Sequence, residues 1–110
     1  MTLNKTWEEC LRMWKWVSKK WKKGDNVLVL KIDWLHDNGY GFNELDHDCF
    51  FCEYDEFYSR KYNNKGECRL CPARKIDNNF GCALSRYSYK NKPKAFYRKL
   101  VELNKKRLAK

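Results

Sequence analysis

The chain has 110 residues, 43% of them hydrophobic and 16% aromatic, with a formal net charge of +10. That length suits one domain, and five Trp, seven Tyr and six Phe let a small core be built from few side chains. No apolar run reaches the length a bilayer requires, and neither a Gly-Lys-Ser/Thr phosphate loop nor a Gly-x-Ser-x-Gly elbow is present.

Charge divides the chain in three. Residues 1–30 carry seven basic and three acidic groups, residues 31–56 one basic and eight acidic, and residues 57–110 sixteen basic and three acidic. An acidic middle between two basic ends reads either as a solvated surface whose parts attract each other or as a basic face for nucleic acid. Residues 1–24 contain no apolar h-region, so the expectation is a reducing, cytoplasmic setting with cysteines as thiols.

The first predicted element is a helix over 6–23. Thr6 and Glu9 make a capping-box pattern, Trp7, Cys10, Leu11, Trp14, Val17, Ser18 and Trp21 recur at helical spacing, and Gly24 is a natural stop. Cys10 lies on that stripe and reads as a small core residue. Trp16 lies about 180° from Trp7 around the helix, among Arg12, Lys19, Lys20 and Lys23. It reads as a base-stacking platform, as an anchor for a protein partner, or as a ring packed under another part of the chain.

Val27–Ile32 has the composition of a buried strand, but Asn26 as N-cap and Gly39 as stop favour a helix over 26–38, since a lone strand has no partner. An acidic stretch leads to Cys49-Phe50-Phe51-Cys52, and after fifteen intervening residues comes Cys68-Arg69-Leu70-Cys71. Each Cys-x-x-Cys turn offers two thiolates to one ion from one side, and two such turns complete a tetrahedron, the arrangement of a closed structural zinc site. The expected ligands of one structural Zn2+ are Cys49, Cys52, Cys68 and Cys71. Cys82 is a substitute ligand, and His47 a weaker candidate. The zinc segment spans 48–82, with a short helix expected over Glu53–Tyr62 and a turn at Asn63–Gly66.

After Cys82 the run Ser85-Arg86-Tyr87-Ser88-Tyr89-Lys90 alternates basic and aromatic residues, as in an extended segment that is half-buried or that binds a single strand. A last helix over 93–108 starts at Pro93, takes its apolar face from Phe96, Tyr97, Leu100, Val101, Leu103 and Leu108, and ends in dipole-favourable cations at Lys105, Lys106, Arg107 and Lys110. The expected fold is therefore mainly α with a small zinc-knuckle or zinc-ribbon-like segment, its terminal helices packed around a four-Cys site.

The spacing Cys49-x-x-Cys52, Cys68-x-x-Cys71-Pro72 and Gly81-Cys82 resembles small zinc-binding proteins of unknown function encoded by tailed bacteriophages. The stretches Trp7-Glu8-Glu9-Cys10, Trp34-Leu35-x-x-x-Gly39-Tyr40 and Phe96-Tyr97-x-Lys99-Leu100 also resemble that group. The resemblance implies a phage accessory protein in a bacterial cytoplasm and carries over no catalytic residue.

An enzymatic reading would be a nuclease built on Asp46-His47. His36 is the one other histidine and lies upstream, which leaves Asn78 or Asn79 to supply a further ligand, and four thiolates on zinc would leave no position for water. The expectation is a non-enzymatic binding protein without membrane attachment. Its first-choice partner is nucleic acid, met by Trp16, Lys19, Lys20, Lys23, Arg86, Tyr87, Tyr89 and Lys90. Its second is a bacterial host protein, with zinc confined to the scaffold.

Overall fold

The fold begins with a helix, α1, over Leu3–Lys20. Its N-cap is Thr2, whose side chain accepts from the Lys5 N–H at 3.1 Å while the Thr6 hydroxyl donates to the Thr2 carbonyl at 2.8 Å. The helix therefore starts three residues before the expected Thr6 cap. It also ends three residues before Lys23. Trp21 is extended, the Asp25 carboxylate accepts from the Lys22 N–H at 2.8 Å, and Gly24 takes φ +96° in the turn that follows. Gly24 serves the turn and leaves the helix end to Trp21.

The computed structural model describes residues 2–40, 50–51, 54, 71–81 and 87–109. Three further helices follow among them: α2 over Val27–Asp37, α3 over Pro72–Ile76 and α4 over Pro93–Leu108. Phe50, Phe51 and Tyr54 are also helical, whereas the rest of the helix expected over Glu53–Tyr62 and the turn at 63–66 lie outside the described residues. The described part is mainly helical, with no strand in it. The alternating segment 85–90 was expected to be extended. Its described part is instead turn at Tyr87 and over 89–91, closed by the Lys92 N–H donating to the Ser88 carbonyl at 2.7 Å.

Asn26 caps α2 by accepting from the Leu28 N–H at 2.9 Å, and Gly39 at φ +84° follows its end. The helical alternative for 27–32 wins because the run packs on α1 along one side. Val27, Lys31 and Trp34 are buried, whereas Leu28, Val29 and Ile32 are 47%, 53% and 43% exposed. A cation thus lies inside and an aliphatic ridge outside, the reverse of ordinary amphipathic order. Lys31 is accommodated by aromatic faces, with Nζ 5.7 Å from the Trp14 ring and 5.8 Å from that of Tyr89.

The core gathers on α1. Thr6, Trp7, Glu9, Cys10, Met13, Trp14, Val17 and Ser18 are buried, while Leu11 and Trp21 of the expected stripe are half-buried. Trp7 meets the edge of Phe51 at 4.7 Å, and Trp14 meets Phe96 at 4.9 Å and Tyr89 at 5.8 Å. From α4 come Pro93, Phe96, Leu100 and Leu103, whereas Tyr97 and Val101 are half-buried and Leu108 is exposed. Arg107 departs from the expected solvated tail: it donates to Asn4 Oδ1 at 2.7 Å and lies 5.1 Å from the Trp7 ring, fastening the end of α4 to the start of α1. The terminal helices therefore pack directly on each other through aromatic and aliphatic side chains.

Trp14→Ala removes an indole wedged between α1, α4 and Tyr89, and should lower unfolding free energy by about 3–5 kcal/mol in urea titration.

Candidate nucleic-acid interface

The pairing of α1 with α2 is fixed by a buried carboxylate. Glu9, 2% exposed, accepts from Arg12 Nη1 at 2.7 Å and from the Tyr40 hydroxyl at 3.0 Å, and lies 3.2 Å from Lys5 Nζ. Arg12 uses its second arm to donate to Asn38 Oδ1 at 3.1 Å, and Asn38 Nδ2 donates to the Trp34 carbonyl at 2.8 Å. One carboxylate thus links the middle of α1 to the C-terminal end of α2 and to Tyr40 beyond it. The capping pattern suggested that Glu9 would reach back along its own helix, but its position on the buried stripe turns it toward α2. Burial pushes the Glu9 carboxyl up, and the hydrogen bonds from Arg12, Tyr40 and Lys5 outweigh it, holding the group below its ordinary 4.5.

Beside this linkage α1 and α2 leave an open cleft of about 410 Å³ lined by Arg12, Lys15, Trp16, Lys19, Trp34, Asp37 and Asn38. The α1 wall is one helical stripe, 12, 15, 16 and 19. The buried Trp34 lies at the base, with the Arg12 guanidinium 5.6 Å from its ring. Trp16 is half-buried, and Lys20 Nζ lies 5.9 Å from its ring. Lys15, Lys19 and Lys20 make no ion pair with the described residues, and all three are exposed.

The expected binding residues fall into two groups. Trp16 and Lys19 form the cleft wall, Lys20 covers the Trp16 ring, and Lys23 is exposed in the turn after α1. Tyr87, Tyr89 and Lys90 are not among the cleft's walls. Tyr87 stacks on Phe80 at 5.8 Å with Lys99 Nζ 5.6 Å from its ring, and Tyr89 packs on Trp14 and Phe96 with Lys90 Nζ 5.9 Å away. These tyrosine rings are thus engaged with core aromatics. Arg86 lies outside the described residues.

Lys15 was missed, although its spacing from Arg12 and Lys19 placed it on the same stripe. Trp34, Asp37 and Asn38 join the cleft only through the pairing of α2 with α1, and local spacing carries no signal of that.

Of the expected zinc ligands Cys71 is described. It is 6% exposed and immediately precedes the Pro72 that opens α3. Cys49, Cys52, Cys68, Cys82, Asp46 and His47 lie outside the described residues, and among the described ones no three His, Cys, Asp or Glu side chains come together. The residues inside the first turn are well anchored: Phe51 packs on Trp7, and Phe50 meets Trp34 at 6.1 Å and Tyr40 at 5.5 Å. Cys10 is wholly buried within the α1 stripe, as its spacing indicated. His36 is exposed beside Asp37, with Nδ1 3.7 Å from Oδ1, and Asn78 and Asn79 are exposed in the turn after α3.

Because the folded Glu9 carboxyl titrates below its ordinary value, its contribution to stability is complete above pH 4.5 and is lost as pH falls through the lower folded value. Glu9→Ala should cost about 1–3 kcal/mol at neutral pH, and the gap from wild type should narrow on acidification in parallel urea titrations.

No helix among the described residues is long and apolar enough to cross a membrane. Comparison with family models, with curated proteins and with solved structures returns no match.

Proposed function

We propose that the chain is a non-enzymatic nucleic-acid-binding protein whose fold is closed by one structural zinc and whose contact surface is the α1/α2 cleft. The observation that carries this reading is Trp16, a half-buried indole beside Lys15, Lys19 and Lys20, which make no ion pair with the described residues. Lys15 and Lys19 are like-charge neighbours one turn apart, a placement that weakens a helix by about 0.2–0.5 kcal/mol. A phosphate chain relieves that repulsion, and an aromatic face beside it takes an unstacked base of any sequence. An ordinary solvated face needs neither the clustered sign nor the Trp. The resemblance to phage-encoded zinc proteins supports an accessory role in a bacterial cytoplasm.

Zinc serves the scaffold in this reading. It would be held by Cys49, Cys52, Cys68 and Cys71, with Cys82 as the substitute, and would supply cross-linking of a segment that Phe50 and Phe51 dock on the core.

A second reading, an inhibitor or adaptor bound to a host protein, is favoured by the exposed Leu28, Val29 and Ile32 on α2. It expects capture of a bacterial protein that Ile32→Lys abolishes and Trp16→Ala leaves intact.

The first reading is tested by titrating short single-stranded and duplex oligonucleotides at several salt concentrations while following Trp fluorescence. Three phosphates neutralised by Lys15, Lys19 and Lys20 give a log–log salt slope of about −2 for a single strand. Trp16→Ala should weaken binding by about 1–3 kcal/mol while the variant retains its zinc. Cys68→Ser should lose zinc, thermal stability and binding together. Absence of binding at low salt contradicts the proposal.

A further inference from the structure

The cleft holds one group that a purely phosphate-binding surface would not keep. Asp37 stands on the wall opposite the α1 cations, its side chain 71% exposed. It makes no ion pair with Arg12, Lys15 or Lys19, and its ion-pair neighbour among the described residues is the imidazole of His36 at 3.7 Å. Asp37 is also the last residue of α2, where the helix dipole disfavours a carboxylate, and a negative charge there repels a polyanion. Asn38 beside it is already committed, its oxygen to Arg12 and its nitrogen to the Trp34 carbonyl. Asp37 is thus a largely exposed acceptor at the cleft, while Trp16 offers a flat face and the α1 lysines offer anion contacts.

We propose that the cleft takes one unpaired guanine nucleotide of a single strand, with Asp37 reading its base edge. The inference rests on the nucleic-acid reading above and adds a base to it. Guanine presents two adjacent donors, N1–H and the N2 amino group, on the edge left free in a single strand, and a carboxylate accepts both in parallel. Adenine and cytosine present one donor beside an acceptor, and uracil flanks its one donor with two carbonyls, so a carboxylate meets repulsion on each of those edges. Trp16 stacks the base, and Lys15, Lys19 and Lys20 hold the adjoining phosphates. The carboxylate's cost in phosphate affinity is what gives the cleft discrimination.

The test uses the zinc-loaded full chain and uridine hexamers that carry one central guanine, inosine, adenine or cytosine. Inosine keeps the ring and N1–H and lacks the N2 amino group. The guanine hexamer should bind about tenfold more tightly than the inosine hexamer. Asp37→Asn should bring that ratio close to one, the guanine hexamer losing more affinity than the inosine hexamer, which has one donor fewer for the carboxylate. Asp37 is largely solvent-exposed, so the variant keeps its fold, and its circular dichroism should match wild type. Equal binding of all four hexamers by wild type overturns the guanine assignment and leaves the nucleic-acid reading standing. A guanine preference that survives Asp37→Asn assigns the discrimination elsewhere and also overturns it. Failure of every hexamer to bind removes both.

Discussion

The structure depends on one helix burying two tryptophans. Trp7 and Trp14 are two turns apart on α1, each 1% exposed, and the other elements are placed by what meets them. Phe51 comes to Trp7 from the first Cys-x-x-Cys turn, Phe96 of α4 and Tyr89 come to Trp14, and Arg107 closes over Trp7 from the far end of α4. Neither indole N–H finds a hydrogen-bond acceptor among the described residues. A buried donor left unpaired costs about 1–3 kcal/mol, and that cost is offset by edge-to-face ring contacts and by one cation over each ring, Arg107 on Trp7 and Lys31 on Trp14. In a chain with this few aliphatic residues, aromatic and cation–π packing replaces an aliphatic core.

A second constraint turns that core into a site. Burying Glu9 on the same helix requires donors, and Arg12, Tyr40 and Lys5 supply them. Arg12 reaches back along α1 to Glu9 with one arm only. It spans to Asn38 and covers Trp34, which sets the angle of α2 and leaves the cleft beside it. The packing that settles the fold therefore also presents Trp16 and the α1 cations on the outer wall. The separate clamp of Lys99 on Asp77, at 3.2 Å, ties α3 to α4. Burial pushes the Lys99 ammonium down, but Asp77, Glu102 and Tyr87 outweigh it and hold the group above its ordinary value. Backbone donation from Asn79 and the Lys99 ammonium hold the Asp77 carboxyl low.

What was legible in the sequence was local. The Trp stripe of α1, the Asn26 cap and Gly39 stop of α2, and Pro93 at the start of α4 are each read from a few neighbouring residues, and each stands where its chemistry requires. Helix ends were misread where a nearby side chain intervened: Thr2 in place of Thr6, and Asp25 catching the Lys22 N–H before Gly24 is reached. The burial of Glu9 and Lys31 was not legible, because a charge enters a core only when partners from other elements wait there. Leu28, Val29 and Ile32 were read with the rest of an apolar run, yet α1 covers just one side of α2. Tyr87 and Tyr89 look like stacking platforms in a list of residues and are core-facing rings in space. Half the cleft, Trp34 with Asp37 and Asn38, exists only once two helices have met.

The proposed function requires that the α1/α2 cleft, and no other Trp-bearing surface, receive a nucleic-acid strand. The most direct measurement is the set of tryptophan indole N–H resonances in a 15N-labelled, zinc-loaded sample as a single-stranded oligonucleotide is added at low salt. Binding in the cleft moves the Trp16 signal most, then that of Trp34 at the cleft base, and leaves the signals of the buried Trp7 and Trp14 in place. Movement confined to Trp21, an equal response of all five, or no movement at all would contradict it.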